Sequence, residues 1–435
     1  DTVTLGSGAS QSGFGRTGTV DWVTTVQTSG FTAANGKGYF VNTTSGGITI
    51  NLPAGSAGDI VAFKDYANTW DTNNVTVTPN GSDKIGGTNA NAILNTESQS
   101  VTLVFIDSTK GWLDVQDSTT NVQAAAFISA TGGTETTSGN FKIHTFTGPG
   151  TLCISAVGNP SGSDSVDYLV LAGGGGGGFW YGGGGGAGGY RFSDGTKSGC
   201  YTTAPSPLVP LGASALPVTA TGYPITVGGG GTGGSNPPFA RSTNGSNSSF
   251  STITSAGGGG GGGNVNDPPG AYPTFYPGNP GGSGGGAKGN PGFGGTAGTG
   301  NTPSVDPPQG FPAGSSNPSN ENNAGGGGAG AASNASTSDT PQQGGYGGAG
   351  IASCITASPV GRGGGGSGNG SASPYGNANP TGFPFGGGKS DSPTTAGNSG
   401  TVNTGGGGGA GPICASQTNA GSGGSGIVII RYKFQ

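Results

Sequence analysis

The chain has 435 residues, of which 103 are glycine and only 8 % are charged, with a net charge of −5. So few cations cannot neutralise a run of phosphates, which excludes a nucleic-acid-binding surface. No apolar stretch approaches the roughly 20 residues of a membrane-spanning helix, so no membrane insertion is expected.

The first 120 residues read as all-β. Ile48, Ile50 and Leu52 alternate with Thr49 and Asn51, and Val75 and Val77 alternate with Thr76 and Thr78. That is the period-two pattern of half-buried strands. Further strands are predicted at Gly38–Thr43, Asp59–Lys64, Ser100–Ile106 and Trp112–Gln116, separated by turn pairs such as Asn35-Gly36 and Asn80-Gly81. No helical period of useful length occurs, so residues 1–120 are expected to form a β-sandwich-like module. Residues 121–172 form a β-type bridge, with strand-like segments at Phe127–Ala130, Asn140–Thr147, Thr151–Val157 and Tyr168–Ala172.

From residue 173 to 435 the composition changes. Uninterrupted glycine runs recur, among them Gly173–Gly178, Gly182–Gly186, Gly257–Gly263, Gly363–Gly366 and Gly405–Gly409, and the chain closes on a strand-like Gly426–Lys433. Collagen needs glycine at every third position with other residues between, so it is excluded. Gly/Ser tracts are flexible linkers by default, yet these runs are many and bracketed by strands. Disorder is disfavoured by the low charge and by only three glutamates, Glu97, Glu135 and Glu321. The remaining reading is a bundle of polyglycine-II helices, of polyproline-II geometry. Such helices point their N–H and C=O groups outward and approach closely only where side chains are absent. The predicted fold is an all-β N-terminal domain, then packed polyglycine-II helices with flanking strands and almost no α-helix.

Convergent chemistry is absent. His144 is the only histidine and lies in a strand-like segment, so a Ser/His/Asp triad has no clear support. Gly388-Lys389-Ser390 lacks the earlier glycine of a phosphate loop, because position 383 is Phe383. No enzyme activity, metal or cofactor is expected. Cys153, Cys200, Cys354 and Cys414 are candidates for two disulfides, or equally for four small buried apolar residues. The aromatics between glycine runs are the better lead: Phe179, Trp180 and Tyr181, then Tyr272, Phe275 and Tyr276, then Tyr375, Phe383 and Phe385. They are read either as receptor-contacting anchors or as covers over the ends of the bundle.

Several segments occur in a familiar order: Asn140–Thr147, Val166–Gly173 leading into polyglycine, Gly182–Arg191, Tyr223–Gly231, Ser249–Gly263 and Gly421–Tyr432. Together they resemble the glycine-rich domain of bacteriophage structural proteins, notably those of marine and cyanobacterial phages. Gly38–Gln116 resembles a β-module of phage fibre and tail proteins. The resemblance implies a virion, extracellular tail-fibre adhesin that attaches to a host cell-surface glycan or protein through loops between glycine helices. It also implies other virion proteins as partners and a homotrimer. The alternatives are a purely structural capsid-decoration, tail or filament protein, and an ice-binding protein. The last should show threonines at fixed spacing, and none are found.

Overall fold

A computed structural model describes residues 20–118, 126–159, 162–195, 213–235, 240–265, 274–289, 295–316, 325, 328–336, 343–370, 385–391, 394–412 and 419–435; none of them is helical. The chain divides into two compact units, residues 1–123 and 124–435.

In the first unit the strands are β1 (Asp21–Gln27), β2 (Phe31–Thr32), β3 (Lys37–Val41), β4 (Ile48–Asn51), β5 (Ile60–Asp65), β6 (Val75–Thr78), β7 (Ala92–Leu94), β8 (Ser100–Asp107) and β9 (Gly111–Ser118). They make a five-stranded sheet of order β1-β3-β5-β8-β9 and a four-stranded sheet of order β2-β4-β6-β7. From β1 to β6 the chain alternates between the sheets, so neighbours within a sheet run parallel. A parallel pair needs a crossover, and here the crossover is a strand of the opposite sheet. The alternating apolar residues meet between the two sheets. Val41, Val61, Phe63 and Trp112 come from one sheet, and Ile50, Val75 and Val77 from the other. Trp70 and the buried Asp65 close one side of this core. The Asp65 carboxylate accepts the backbone N–H groups of Trp70 at 3.2 Å and Ser98 at 3.1 Å, with longer bonds from Ala67 and Thr69.

The stretch read as a bridge supplies the first strands of the second unit: β10 (Ser129–Thr131), β11 (Thr134–Ser138), β12 (Phe141–Phe146), β13 (Gly150–Ala156) and β14 (Ser165–Leu171). They are followed by β15 (Tyr190–Phe192), β16 (Leu216–Pro217), β17 (Gly222–Thr226), β18 (Ser248–Phe250), β19 (Ile253–Ser255), β20 (Gly263–Val265), β21 (Thr274–Tyr276), β22 (Ile351–Ser353), β23 (Val360–Arg362) and β24 (Ile427–Lys433). One sheet has the order β10-β13-β17-β18-β19 and another β11-β12-β24-β14-β15. The chain's last strand therefore sits between β12 and β14, antiparallel to both. β24 is buried on two faces, which explains its unbroken apolar run. Val428, Ile430 and Tyr432 pack into the core between the sheets, while Ile427 and Ile429 join Leu169, Leu171, Ala331 and Ile351 on the other face. His144 on β12 is buried and stacks on Tyr432. Its Nδ1 lies 2.7 Å from the Gly132 carbonyl and its Nε2 3.1 Å from the Tyr432 hydroxyl.

β14 leads directly into the glycine runs, which hold one another through their backbones. The N–H groups of Gly173 and Gly176 donate to Ser246 and Thr243, those of Gly174 and Gly177 to Gly424 and Gly421, and those of Gly175 and Gly178 to Gly186 and Gly183. The carbonyls of the same six residues accept from Gly258 and Gly261, from Gly231 and Gly234, and from Gly408 and Gly411. Each neighbour is met at every third residue. Three antiparallel runs take the donors and three parallel runs take the acceptors, so residues 173–178 are enclosed by six others. Residues 182–189 are enclosed in the same way, by the runs around 175, 259, 286, 329, 366 and 408. At the glycines of these two runs packing this close leaves no room for a β-carbon, although the lattice admits one at Ala187. One placed on Gly185 would stand 2.1 Å from the Gly175 carbonyl oxygen, and one on Gly184 would stand 2.1 Å from that of Gly366. Gly229, on an outer run, is the contrast: a β-carbon there meets nothing within 4 Å.

Candidate functional site at the far end of the glycine lattice

The runs pass to and fro between two ends. At the sheet end lie Leu171, Tyr190, Arg362 and Ile427, where strands meet glycine. At the far end the chain turns at 179–181, and the described passes end at Ser235, Gly289, Gly370 and Pro412. The turn at 179–181 joins the two enclosed runs and so occupies the middle of this end.

Phe179 is 1 % exposed. Its Cβ lies 3.2 Å from a β-carbon position on Gly234, and its ring Cδ2 3.1 Å from one on Gly411. Above it, Trp180 and Tyr181 are half-buried, and both adopt left-handed backbone conformations, with φ of +58° and +54°. Bulky residues seldom do so, because the β-carbon crowds the following carbonyl. Three bonds clamp the turn to surrounding passes. Asn264 N–H donates to the Phe179 carbonyl at 3.2 Å, Gly289 N–H to that of Tyr181 at 2.9 Å, and Asn369 N–H to that of Gly182 at 3.1 Å.

Tyr276 on β21 adjoins this turn across Gly263, where its hydroxyl and the Phe179 backbone converge. Tyr276 is 6 % exposed, and burial raises its phenol above the ordinary range. The exposed Arg241 guanidinium lies 5.0 Å from the centre of its ring. Lys288 is 4 % exposed, and burial pushes its ammonium down to about 8. Its Nζ donates to the Gly289 carbonyl at 2.5 Å.

The structure thus gathers Phe179, Trp180, Tyr181 and Tyr276, but turns Phe179 and Tyr276 inward as packing. Phe385 is placed elsewhere: its carbonyl accepts from Gly364 N–H near the sheet end, next to β23. Phe275 lies on β21, and its side chain falls outside the described residues, as do Tyr272, Tyr375 and Phe383. Cys153 is an exposed free thiol on β13 and Cys354 is half-buried after β22, while Cys200 and Cys414 fall outside the described residues. Sequence reasoning missed Arg241, Lys288 and Asn369, which carry no motif and reach this end only through the order of the passes. Among the described residues no cluster of His, Cys, Asp or Glu could hold a metal ion.

Residues 147–433 match the family model of a glycine-rich domain. Residues 8–117 match that of the bacteriophage T4 gp9/10-like protein, N-terminal. An 89-residue stretch is 36 % identical to baseplate wedge protein gp10 of Enterobacteria phage T4. That stretch covers 19 % of this chain and 15 % of the relative, so the chain spans a small fraction of that protein's length.

Proposed function

The chain belongs to the glycine-rich domain family, and on that premise we propose that it is a bacteriophage tail or baseplate structural protein that presents the far end of its glycine lattice to the host surface. Its place is the virion. The gp9/10-like match of the first unit supports attachment to other particle proteins, and the fibre resemblance adds a homotrimer to that expectation. The role is structural and adhesive rather than enzymatic.

We read the lattice as polyglycine II. The three-residue period of the hydrogen bonds and the lack of room for a β-carbon at each of Gly173–Gly178 support this reading. The observation that carries the adhesin reading is the division of labour between the two ends. At the sheet end strands and short connections such as 301–308 and 402–404 join the passes, while the far end gathers the turn at 179–181 and the ends of the described passes. Binding residues concentrate on loops set by a rigid scaffold.

The test is antibody raised against residues 124–435, applied to intact particles. Gold label at the tail or baseplate, and slower adsorption to host cells, are expected. Label there without any effect on adsorption favours the purely structural role, which the inward packing of Phe179 and Tyr276 also suits. Absence of label from the particle overturns both readings.

A further inference from the structure

We propose that the buried guanidinium of Arg362 and the hydroxyl of Tyr190 form a binding site for a small monovalent anion, namely chloride. The site lies at the sheet end and does not depend on the adhesin reading.

Arg362 ends β23, immediately before the glycine run 363–366, and is 6 % exposed. Ile351 pairs with Arg362 and Ser353 with Val360, which places Ile351, Ser353 and Arg362 on one face of the β22–β23 hairpin. Ile351 packs there with Tyr190, Leu171 and Ala331. The Tyr190 ring borders the same spot, with its Cδ2 3.3 Å from a β-carbon position on Gly363. Among the described residues Arg362 Nη1 has no acceptor and its guanidinium joins no ion pair. The Tyr190 hydroxyl, buried beside Ser353, also lacks an acceptor of good geometry.

Charge is what sets Arg362 apart. A neutral donor without a partner, such as the buried indole N–H of Trp112, is tolerated at modest cost. A buried charge without a counter-charge is penalised far more heavily, and although burial lowers the Arg362 guanidinium, arginine does not escape by releasing its proton. Arg431 on β24 is the contrast. It is equally buried, but its Nη1 donates to the Ile355 carbonyl at 3.3 Å, its guanidinium lies 4.4 Å from the centre of the Phe141 ring, and it faces Asp167 in register. Asp167 does not serve Arg362. It stands four residues along β14 from Leu171, which faces Tyr190, or about 13 Å away at strand spacing, and it accepts the Ser193 hydroxyl at 2.7 Å. Asp306, in the connection 301–308, is exposed. Burial also raises the Tyr190 phenol, so it remains a protonated donor rather than a counter-charge. One fixed positive charge and one phenol donor among Leu171, Ala331, Ile351 and Ile355 suit a compact anion of single charge. The second charge of a sulfate would go unmatched.

The test is calorimetric melting of the full chain at constant ionic strength, with sodium chloride replaced stepwise by sodium gluconate, whose anion is bulky. The second unit should melt about 2 °C higher per tenfold rise in chloride once the site fills, while the first unit stays unmoved. Arg362→Met keeps the apolar stem without the charge. It should lose the chloride dependence, and in gluconate it should melt no lower than the unaltered chain. Crystals of the unaltered chain soaked in sodium bromide should show an anomalous peak in contact with Arg362 Nη1, and that peak decides alone if Arg362→Met does not fold. The proposal is overturned if chloride has no specific effect, if the effect survives in Arg362→Met, or if no bromide peak stands at Nη1. Formate raising the melting temperature where chloride does not would mark a carboxylate site and overturn the halide assignment.

Discussion

Gly185→Ala adds one carbon inside one of the two enclosed runs. In the unaltered chain Gly185 N–H donates to the Gly408 carbonyl at 2.8 Å, and its own carbonyl accepts from Gly366 at 2.9 Å. The new methyl carbon would stand 2.1 Å from the Gly175 oxygen, so that carbonyl has to retreat by about 1 Å to reach ordinary contact. The same oxygen accepts from Gly408 N–H at 2.9 Å. Two buried bonds between three passes are therefore broken or badly stretched. Each buried polar group left unpaired costs about 1–3 kcal/mol, and overpacking adds about 1–3 kcal/mol. The smaller backbone entropy of alanine in the unfolded chain returns less than about 1 kcal/mol. A net loss of about 2–9 kcal/mol follows, which at about 1.5 °C per kcal/mol for a unit of this size lowers the melting temperature by about 3–14 °C. Gly229→Ala is the matched control, since its added carbon meets open space and its φ is not left-handed; it should change melting by no more than about 2 °C. Differential scanning calorimetry of the full chains reads both. If the two variants melt together, backbone packing is not what holds the lattice.

Three further outcomes follow from other parts of the molecule. Burial holds the His144 imidazole below its ordinary range, so near pH 6.5 the unfolded chain takes up a proton that the folded chain refuses. Stability should therefore fall as pH drops below about 6.5, and His144→Gln should flatten that dependence in melts between pH 7.5 and 5. Asp65→Ala removes the acceptor of four backbone N–H groups around Trp70 and should destabilise the first unit by about 2–4 kcal/mol in urea melts. A melting transition of the second unit that stays unmoved is part of the expected result. Truncation before Ile427 empties the slot between β12 and β14, so the second unit should become protease-sensitive throughout, whereas deletion of Gln435 alone should be silent.

Legibility in the sequence tracked the presence of side chains with a preferred face. Ile48, Ile50, Val75 and Val77 alternate because one face of each strand meets a core, and the strands stand where the alternation predicts. The edge strand β1 escaped notice, since Trp22 is 43 % exposed and no face of Asp21–Gln27 is consistently buried. Short strands such as Tyr190–Phe192 and Ser248–Phe250 carry too few residues to show a period. In the glycine runs the three-residue period is physically real but unwritten, because identical residues cannot mark which neighbour each one faces. The flanking strands Tyr168–Ala172 and Gly426–Lys433 were the readable signs of an ordered region. The candidate site was half legible. Phe179, Trp180 and Tyr181 look alike as consecutive aromatics, and what separates the buried anchor from the two above it is a backbone conformation that composition does not encode.

β14 feeds the chain into the lattice and β24 receives it, and the two lie side by side in one sheet. Whatever happens between them must bring the chain back to the side from which it started, so passes can be gained or lost only in pairs. A related protein with a larger lattice should differ by whole outward-and-return excursions, each bringing one new loop to the far end and one new connection to the sheet end. Because the passes meet chiefly through their backbones, with side-chain bridges only at places such as Asn244 and Asn369, an inserted pair needs few matching changes in its neighbours. The architecture can therefore enlarge its repertoire of exposed loops one at a time while its interior keeps a single rule.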